Sequence, residues 1–189
     1  MMMRKNMKMK LRDVYRKAWK WVMLKLYKKS VILFEIEASN NLQLPVIKLQ
    51  NNGKEFYFVV DSGCGTSIIS PESIEELAHS YIPMTGSKSL GVGGNIRDMV
   101  YASVFFDIDG QEVPSIFGVI DMQSDLDNLS KYAGKKISGL IGTSFLYAYK
   151  SKIDYRRACI ISRWTLCRKF QIYRTRPQQS EEVTADTSK

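Results

Sequence analysis

The sequence has few of the side chains that metal sites and serine or cysteine hydrolases require. Its 189 residues include one histidine, His79, and three cysteines. Cys64, Cys159 and Cys167 lack the paired spacing of a zinc site, and no Ser-His-Asp set is evident. We therefore expect neither a metal nor a cofactor. An odd number of sparse cysteines also fits a reducing compartment better than a disulfide-bonded scaffold.

Long apolar runs are missing from the amino-terminal segment. The longest uninterrupted runs there are four residues, Trp21 to Leu24 and Val31 to Phe34, whereas a membrane-spanning helix needs roughly twenty apolar residues. Lysines interrupt every candidate apolar core and no small-residue cleavage site follows, which disfavours a secretory signal. We expect a cytoplasmic protein, with a peripheral position at the inner membrane surface as an alternative.

Positive charge is concentrated at the amino terminus. Residues 1–30 contain eleven Lys/Arg against the single acid Asp13, a net charge of +10, while the whole chain carries +9. The remainder is therefore about −1. The high isoelectric point belongs to an arm, and the body is predicted to be close to neutral.

The arm has the pattern of a basic amphipathic helix. Arg16, Lys17, Lys20 and Lys28 lie opposite an apolar face formed by Leu11, Val14, Tyr15, Ala18, Trp19, Val22, Met23 and Leu26. Such a helix can lie on an anionic membrane surface, or pack on the body or on a partner. Contact with nucleic acid through charge and an unpacked, solvated extension are further interpretations, and nucleic acid is not favoured.

The body contains an acid at the end of an apolar strand. Val59 and Val60 are followed directly by Asp61, Ser62 and Gly63. A carboxylate in that setting is costly unless it is hydrogen-bonded, paired or shared with a second acid, so function is one reason to keep it. Asp, Ser and Gly are also ordinary turn residues, and the motif alone is not specific.

Two further segments make the pattern specific. Leu140-Ile141-Gly142 follows about eighty residues later, and the glycine-rich stretch Leu90-Gly91-Val92-Gly93-Gly94 lies between. A phosphate-binding loop would need Lys-Ser/Thr after these glycines, but Asn95-Ile96 follows. Together the segments resemble the retropepsin-like aspartic proteases over roughly residues 31 to 165, and the similarity is closest to bacterial single-domain members.

The resemblance implies a role for each segment. Asp61 would be the catalytic residue, with Ser62 and Gly63 shaping its turn, and the Ser62 hydroxyl would hydrogen-bond across a dimer. The Leu-Ile-Gly strand would pack behind that turn, and the glycines would form a mobile flap. A polypeptide substrate would be bound by Cys64, Gly65, Leu90, Gly91, Val92, Gly93, Gly94, Leu140, Ile141 and Gly142.

The copy number of the motif predicts a homodimer. Peptide hydrolysis by this route needs two carboxylates that share a proton. The chain has one Asp-Ser-Gly, and Asp107-Ile108-Asp109-Gly110 has the character of a polar turn between strands. An active enzyme would therefore pair Asp61 from each of two subunits across a two-fold axis. Such a pair titrates in two coupled steps, so we expect activity to peak on the acidic side of neutral.

Some positions depart from the family. Cys64 stands where the family has alanine, and Gly65 stands where viral members have a carboxylate that helps hold the substrate. Thr143 and Ser144 stand where viral enzymes have arginine and asparagine. These departures support an alternative hypothesis, a catalytically silent peptide-binding or scaffold domain of the same fold that is tethered by its basic helix.

Local patterns predict a mostly β fold, a closed barrel with two or three short helices over residues 31–175. Asn52-Gly53 and Asp109-Gly110 mark hairpins. Ser70-Pro71 opens a short helix, which places His79 in a helical, solvated neighbourhood, and Gly134 ends a helix that begins near Asp121. Residues 176–189 are polar and are predicted to form a disordered tail.

Overall fold

The computed structural model describes residues 14–25, 30–35, 44–83, 88–90 and 96–163, with the backbone alone at 88–90 and 96–97. The helices are α1 (residues 14–25), α2 (Pro71–Glu75), α3 (Gln123–Ala133) and α4 (Thr143–Ala148). The strands are β1 (Ser30–Leu33), β2 (Val46–Asn51), β3 (Lys54–Val60), β4 (Ile68–Ile69), β5 (His79–Ile82), β6 (Lys88–Leu90), β7 (Ile96–Asp98), β8 (Val100–Ile108), β9 (Gln111–Val119), β10 (Ile137–Ile141), β11 (Lys152–Asp154) and β12 (Cys159–Ser162).

Six strands form a closed barrel. They pair in the order β2-β3-β10-β4-β9-β8, and Gln50 of β2 pairs with Asp107 of β8 to close the ring. The β3–β10 and β4–β9 pairs are parallel, and the other pairs around the ring are antiparallel. β5 adds to β8 outside the ring, and β1, β12 and β11 form a separate small sheet. The predicted mostly β, closed-barrel fold class is confirmed.

Three phenylalanines from three strands fill the barrel. Phe58, Phe106 and Phe117 are fully buried, and their ring centroids lie 5.5 to 5.9 Å apart. Around Phe106 the exposed neighbours Phe105 and Asp107 show the alternation expected for a strand with one face on the core, whereas Phe58 and Phe117 each have one buried neighbour. Burying one such side chain contributes roughly 1.5–3 kcal/mol. This cluster fixes the register of β3, and so fixes where Asp61 emerges.

The hairpin turns have the predicted geometry. Asn52 and Gly53 have φ of 47° and 77°, and Asp109 and Gly110 have φ of 56° and 75°. Two successive residues with positive φ form the turn whose twist matches that of paired strands, and Asn-Gly and Asp-Gly adopt it readily. Gly134 likewise ends α3 in the left-handed region, with φ of 64°. Both hairpins and the end of this helix are confirmed.

The predicted helix after the turn at Asp61-Ser62-Gly63 (the acid turn) is confirmed, but the position predicted for His79 is not. The Ser70 hydroxyl accepts a hydrogen bond from the Ser73 N–H at 3.1 Å, and Pro71 is the first helical residue. The helix ends at Glu75, so His79 lies in strand β5 and not in a helix. Its side chain retains 14% exposure and its ring packs edge-on against Tyr81. The prediction of a solvated helical histidine was wrong.

Helix α1 packs on the body. The Arg16 guanidinium donates to the Ala158 carbonyl at 3.1 Å, and the Lys20 ammonium pairs with Asp109 at 2.9 Å. Arg157 lies 5.3 Å from the centre of the Trp19 ring. Arg16 and Lys20, from the predicted basic face, and Trp19, from the predicted apolar face, therefore all contact the body. Among the residues the structure covers, no helix is long and apolar enough to cross a bilayer.

Candidate active site

The acid turn begins where β3 leaves the core. Val60 is 4% exposed, Asp61 is partly exposed, and Ser62 and Gly63 are exposed. The Gly63 N–H donates to Asp61 Oδ1 at 2.8 Å, and the Cys64 N–H donates to the Asp61 carbonyl at 3.2 Å. The backbone of the turn thus donates to the Asp61 carboxylate and fixes its orientation. The carboxylate stays partly open to solvent.

Strand β10 supports the turn from behind. Ile141 pairs with Val60 in parallel register, and the Asp61 N–H donates to the Ile141 carbonyl at 2.9 Å. The Gly142 N–H donates to the Ser67 hydroxyl at 3.1 Å, and Ser67 is fully buried. The structure therefore joins the two segments that the sequence places about eighty residues apart.

The start of α4 holds the second half of the turn. The Thr143 N–H donates to the Cys64 carbonyl at 2.8 Å, and the Thr143 hydroxyl lies 3.1 Å from the carbonyls of Cys64 and Gly65. The Ser144 N–H donates to the Gly65 carbonyl at 3.0 Å, and the Ser144 hydroxyl accepts from the Ser67 N–H at 3.1 Å. The sequence marked Thr143 and Ser144 only as departures from the family. Their hydroxyls in fact brace the acid turn.

Cys64 is a packed thiol beside the acid. Its Sγ donates to the Thr66 carbonyl at 2.9 Å. Burial raises the pKa of the Cys64 thiol, and the nearby Asp61 charge adds to the effect. Because the thiolate is the nucleophilic form, the raised pKa argues against cysteine chemistry at neutral pH.

The other predicted site residues occupy different positions around the turn. Ile141 is fully buried, and Gly142 is buried next to it, so both contact the turn and not solvent. Leu140 is partly exposed, and Gly65 is exposed with open space where a Cβ would lie. Their predicted contacts with substrate stay predictions.

The glycine-rich stretch is flanked by paired strands. β6 and β7 are antiparallel, with Leu90 opposite Ile96. Gly91, Val92, Gly93 and Gly94 lie outside the described residues, as does the predicted tail at 176–189. The flap and the tail stay predictions.

The site offers one oriented carboxylate and no metal ligands around it. Within the ranges given above, no group of three or more His, Cys, Asp or Glu side chains is arranged to hold a metal ion. A fixed carboxylate can accept a proton from water or donate one to a carbonyl. It cannot do both at the same moment, so acid–base hydrolysis at this turn needs a second group.

Comparison with known proteins gives structural matches alone. No family model matches the sequence, and no curated protein matches it. Among solved structures, the chain is similar to the EIAV protease complexed with the inhibitor HBY-793, at 17% identity and a TM-score of 0.42, over 59% of this chain and 92% of that one. It is also similar to the retroviral protease-like domain of Ddi1 from Leishmania major, at 18% identity and a TM-score of 0.46, over 64% and 88%. The predicted similarity to bacterial members stays a prediction.

Proposed function

We propose that the chain is one subunit of a homodimeric aspartic-type endopeptidase, in which Asp61 from each of two copies forms the catalytic dyad. The observation that carries this proposal is the position of Asp61. It leaves a buried strand, its Oδ1 is held by the Gly63 N–H, and its turn is braced by Ile141 and Thr143. The carboxylate is thus held in one orientation at the exposed end of the strand.

The second carboxylate has to come from another copy. Asp107 and Asp109 lie in the β8–β9 turn, where Asp107 accepts from the Gly110 N–H and Asp109 pairs with Lys20. Both acids therefore have structural partners. They also lie at the opposite end of the nine-residue strand β9 from Gly118, whose N–H donates to the Ser67 carbonyl beside the acid turn. Ser62 and Gly63 are exposed, so the turn of a second subunit has room to approach.

The chemistry follows from two carboxylates that share one proton. The ionised member removes a proton from a water molecule, whose oxygen then attacks the peptide carbonyl carbon, while the protonated member donates its proton to the carbonyl oxygen. The tetrahedral intermediate collapses when the C–N bond breaks: the now protonated first carboxyl gives its proton to the leaving amine, and a hydroxyl of the intermediate returns a proton to the ionised second carboxylate, which restores the dyad. Two like charges this close cannot both be present, which favours the singly protonated pair at mildly acid pH.

The turn leaves part of the Asp61 carboxylate available for this work. Oδ1 accepts from Gly63, and Oδ2 accepts no hydrogen bond from any residue that the structure describes. Oδ2 is therefore the atom we assign to water and to the twin acid. The Ser62 hydroxyl likewise makes no hydrogen bond within those ranges, and the family resemblance assigns it to the contact between subunits.

A second candidate function is a catalytically silent peptide-binding domain. It is favoured by Gly65, which is exposed and has nothing within 4 Å of an added Cβ. A carboxylate at this place would grip a substrate backbone, and its absence weakens substrate positioning. A silent module would bind peptides without turnover and would not depend on a second copy.

Cleavage mapping separates the two functions. Mixed peptides are incubated with the wild-type protein and with Asp61→Asn from acid to neutral pH, and products are identified by mass spectrometry. The proposal predicts cleavage that is strongest at mildly acid pH, is lost in Asp61→Asn, and accompanies a dimer in sedimentation at micromolar concentration. A monomer that cuts no peptide while Asp61 stays in place would instead support the silent domain.

A further inference from the structure

The near-zero net charge of residues 31–189 conceals an uneven distribution. Residues 150–176 contain nine Lys/Arg against the single acid Asp154, a net charge of +8, whereas residues 31–149 carry −7. The body is near neutral in total, as predicted, but its charges are segregated along the sequence. Two segments, 1–30 and 150–176, hold the positive charge, and the barrel between them is acidic.

The fold brings these two basic segments together. β1 pairs with β12 in antiparallel register, from Ser30 opposite Ser162 to Leu33 opposite Cys159. Helix α1 then contacts the β11–β12 turn through the Arg16 bond to Ala158 and through the contact of Trp19 with Arg157. The described parts of the two segments, residues 14–25 and 150–163, therefore lie together, and they carry nine Lys/Arg against the single acid Asp154.

Helix α1 presents an apolar strip to solvent on the side opposite these contacts. Val14 is 63% exposed, Trp21 is 61% exposed, and Ala18 between them is also exposed. These three residues are spaced by four and three positions, so they lie on one helical face. Lys17 and Lys25 are exposed as well and flank this strip with positive charge.

Tyr15 of the same helix is also 71% exposed. We call the set of exposed α1 residues the arm face: Val14, Tyr15, Lys17, Ala18, Trp21 and Lys25. Large exposed side chains grouped in this way mark an interaction surface.

We propose that the arm face binds the surface of an anionic lipid bilayer. An amphipathic helix that places Trp and aliphatic residues at the acyl boundary and lysines at the head groups lies flat in the interface. Trp and Tyr are the side chains that favour this depth. The charge of the two basic segments attracts acidic lipids. A nucleic-acid surface would instead place cations at its centre, and the centre of the arm face is apolar.

This orientation keeps the acid turn away from the bilayer. Lys20 anchors α1 to Asp109 at one end of β9, and Gly118 near the other end donates to Ser67 beside the acid turn. β9 has nine residues, which span about 30 Å at roughly 3.4 Å per residue. A peptide can therefore reach Asp61 while α1 lies on the membrane. The proposal does not depend on catalysis.

Vesicle binding tests the proposal on the full chain. Co-sedimentation is measured with phosphatidylcholine vesicles and with vesicles that also contain about 30% phosphatidylserine. We expect binding at least about tenfold tighter to the anionic vesicles, and weakening of that binding by added salt.

Three exposed-site variants separate the apolar and charged contributions. Val14→Gln/Trp21→Gln keeps every charge and should weaken binding to anionic vesicles about tenfold. Lys17→Gln/Lys25→Gln should weaken it about fivefold for each lysine, the effect of roughly 1 kcal/mol per basic side chain. Lys131→Gln/Lys136→Gln removes the same charge from exposed positions at the end of α3 and just after it, and its binding should change less than twofold.

Three results would overturn the proposal that the arm face binds an anionic bilayer. Equal binding to both kinds of vesicle, or unchanged binding by Val14→Gln/Trp21→Gln, would overturn the proposal. So would fluorescence anisotropy showing that a duplex DNA or RNA binds more tightly than the anionic vesicles. Because all substituted side chains are exposed, each variant should unfold at the wild-type temperature, which is checked by circular dichroism.

Discussion

Gly142 lies against the main chain of Thr66 with no room for a side chain between them. A Cβ atom placed on Gly142 would lie 2.6 Å from the Thr66 carbonyl oxygen and 2.7 Å from that of Cys64. Real Cβ atoms are not found at such distances from backbone oxygens. The glycine of the Leu-Ile-Gly segment is therefore present because the strand behind the acid turn touches the turn's own main chain.

Gly142→Ala should displace the acid turn. The Cys64 carbonyl cannot move without disturbing the bonds from Thr143, and the Thr66 carbonyl accepts from the Cys64 thiol. We therefore expect a loss of about 2–3 kcal/mol in the free energy of unfolding. Urea denaturation measures this loss. Gly65→Ala is the matched control, because nothing lies within 4 Å of its added Cβ. Similar stability losses in both variants would refute the close-approach explanation.

Thr143→Val should loosen the turn while leaving the barrel intact. Valine has nearly the same shape but cannot donate to the carbonyls of Cys64 and Gly65, so we expect about 1 kcal/mol of lost stability and a lower kcat. Thr143→Ser restores the hydroxyl and should recover most of both. If valine and serine variants cleave peptide equally well, the hydroxyl has no positioning role.

Cys64→Ala should keep peptide cleavage. Because burial and the Asp61 charge raise the pKa of the thiol, Cys64 is protonated at the acid to neutral pH where activity is expected. The substitution also removes the bond to the Thr66 carbonyl, which should cost no more than about 1 kcal/mol. The cleavage rates of Cys64→Ala and of the wild type measure whether the thiol is needed for catalysis. A drop of several orders of magnitude in the variant would point to a cysteine nucleophile.

Asp154 should make stability depend on pH. The backbone N–H of Arg157, and then its guanidinium, lower the pKa of Asp154 below the ordinary value. A lowered folded-state pKa means that the charged group stabilises the protein above the ordinary pKa, and that this stability is lost as pH falls through the lower folded value. Asp154→Asn should therefore cost about 0.5–1 kcal/mol near neutral pH and almost nothing well below about pH 3.

Urea unfolding of the wild type and Asp154→Asn at neutral and strongly acid pH measures this difference. Asparagine keeps an oxygen that can accept from the Arg157 N–H, so the comparison isolates the charge. A stability gap of the same size at both pH values would show that the carboxylate charge contributes nothing.

Local signals in the sequence were enough for the turns and capped helices. Asn52-Gly53, Asp109-Gly110 and Ser70-Pro71 act through their own backbone preferences, which do not depend on distant contacts. The position of Asp61 at the end of a strand followed from the apolar run before it. These features are confirmed by the structure.

Elements that depend on distant contacts were missed. Helix α4 has six residues and no side-chain cap at Gly142; it is fixed by the hydrogen bonds that Thr143 and Ser144 make to the acid turn. The side of α1 that faces the body could not be predicted from the sequence either. Apolar residues occur around much of that helix, and the contact is decided by Ala158 and Asp109, which no local pattern includes.

Mixing two kinds of subunit tests the central claim most directly. A fixed concentration of the wild-type protein cleaves a peptide while Asp61→Asn is added. If the dyad forms between copies, an equal amount of the variant should reduce the rate to about half, and a threefold excess to about a quarter, because mixed dimers lack one acid. A rate that stays constant as the variant is added would contradict a catalytic site built from two Asp61 side chains.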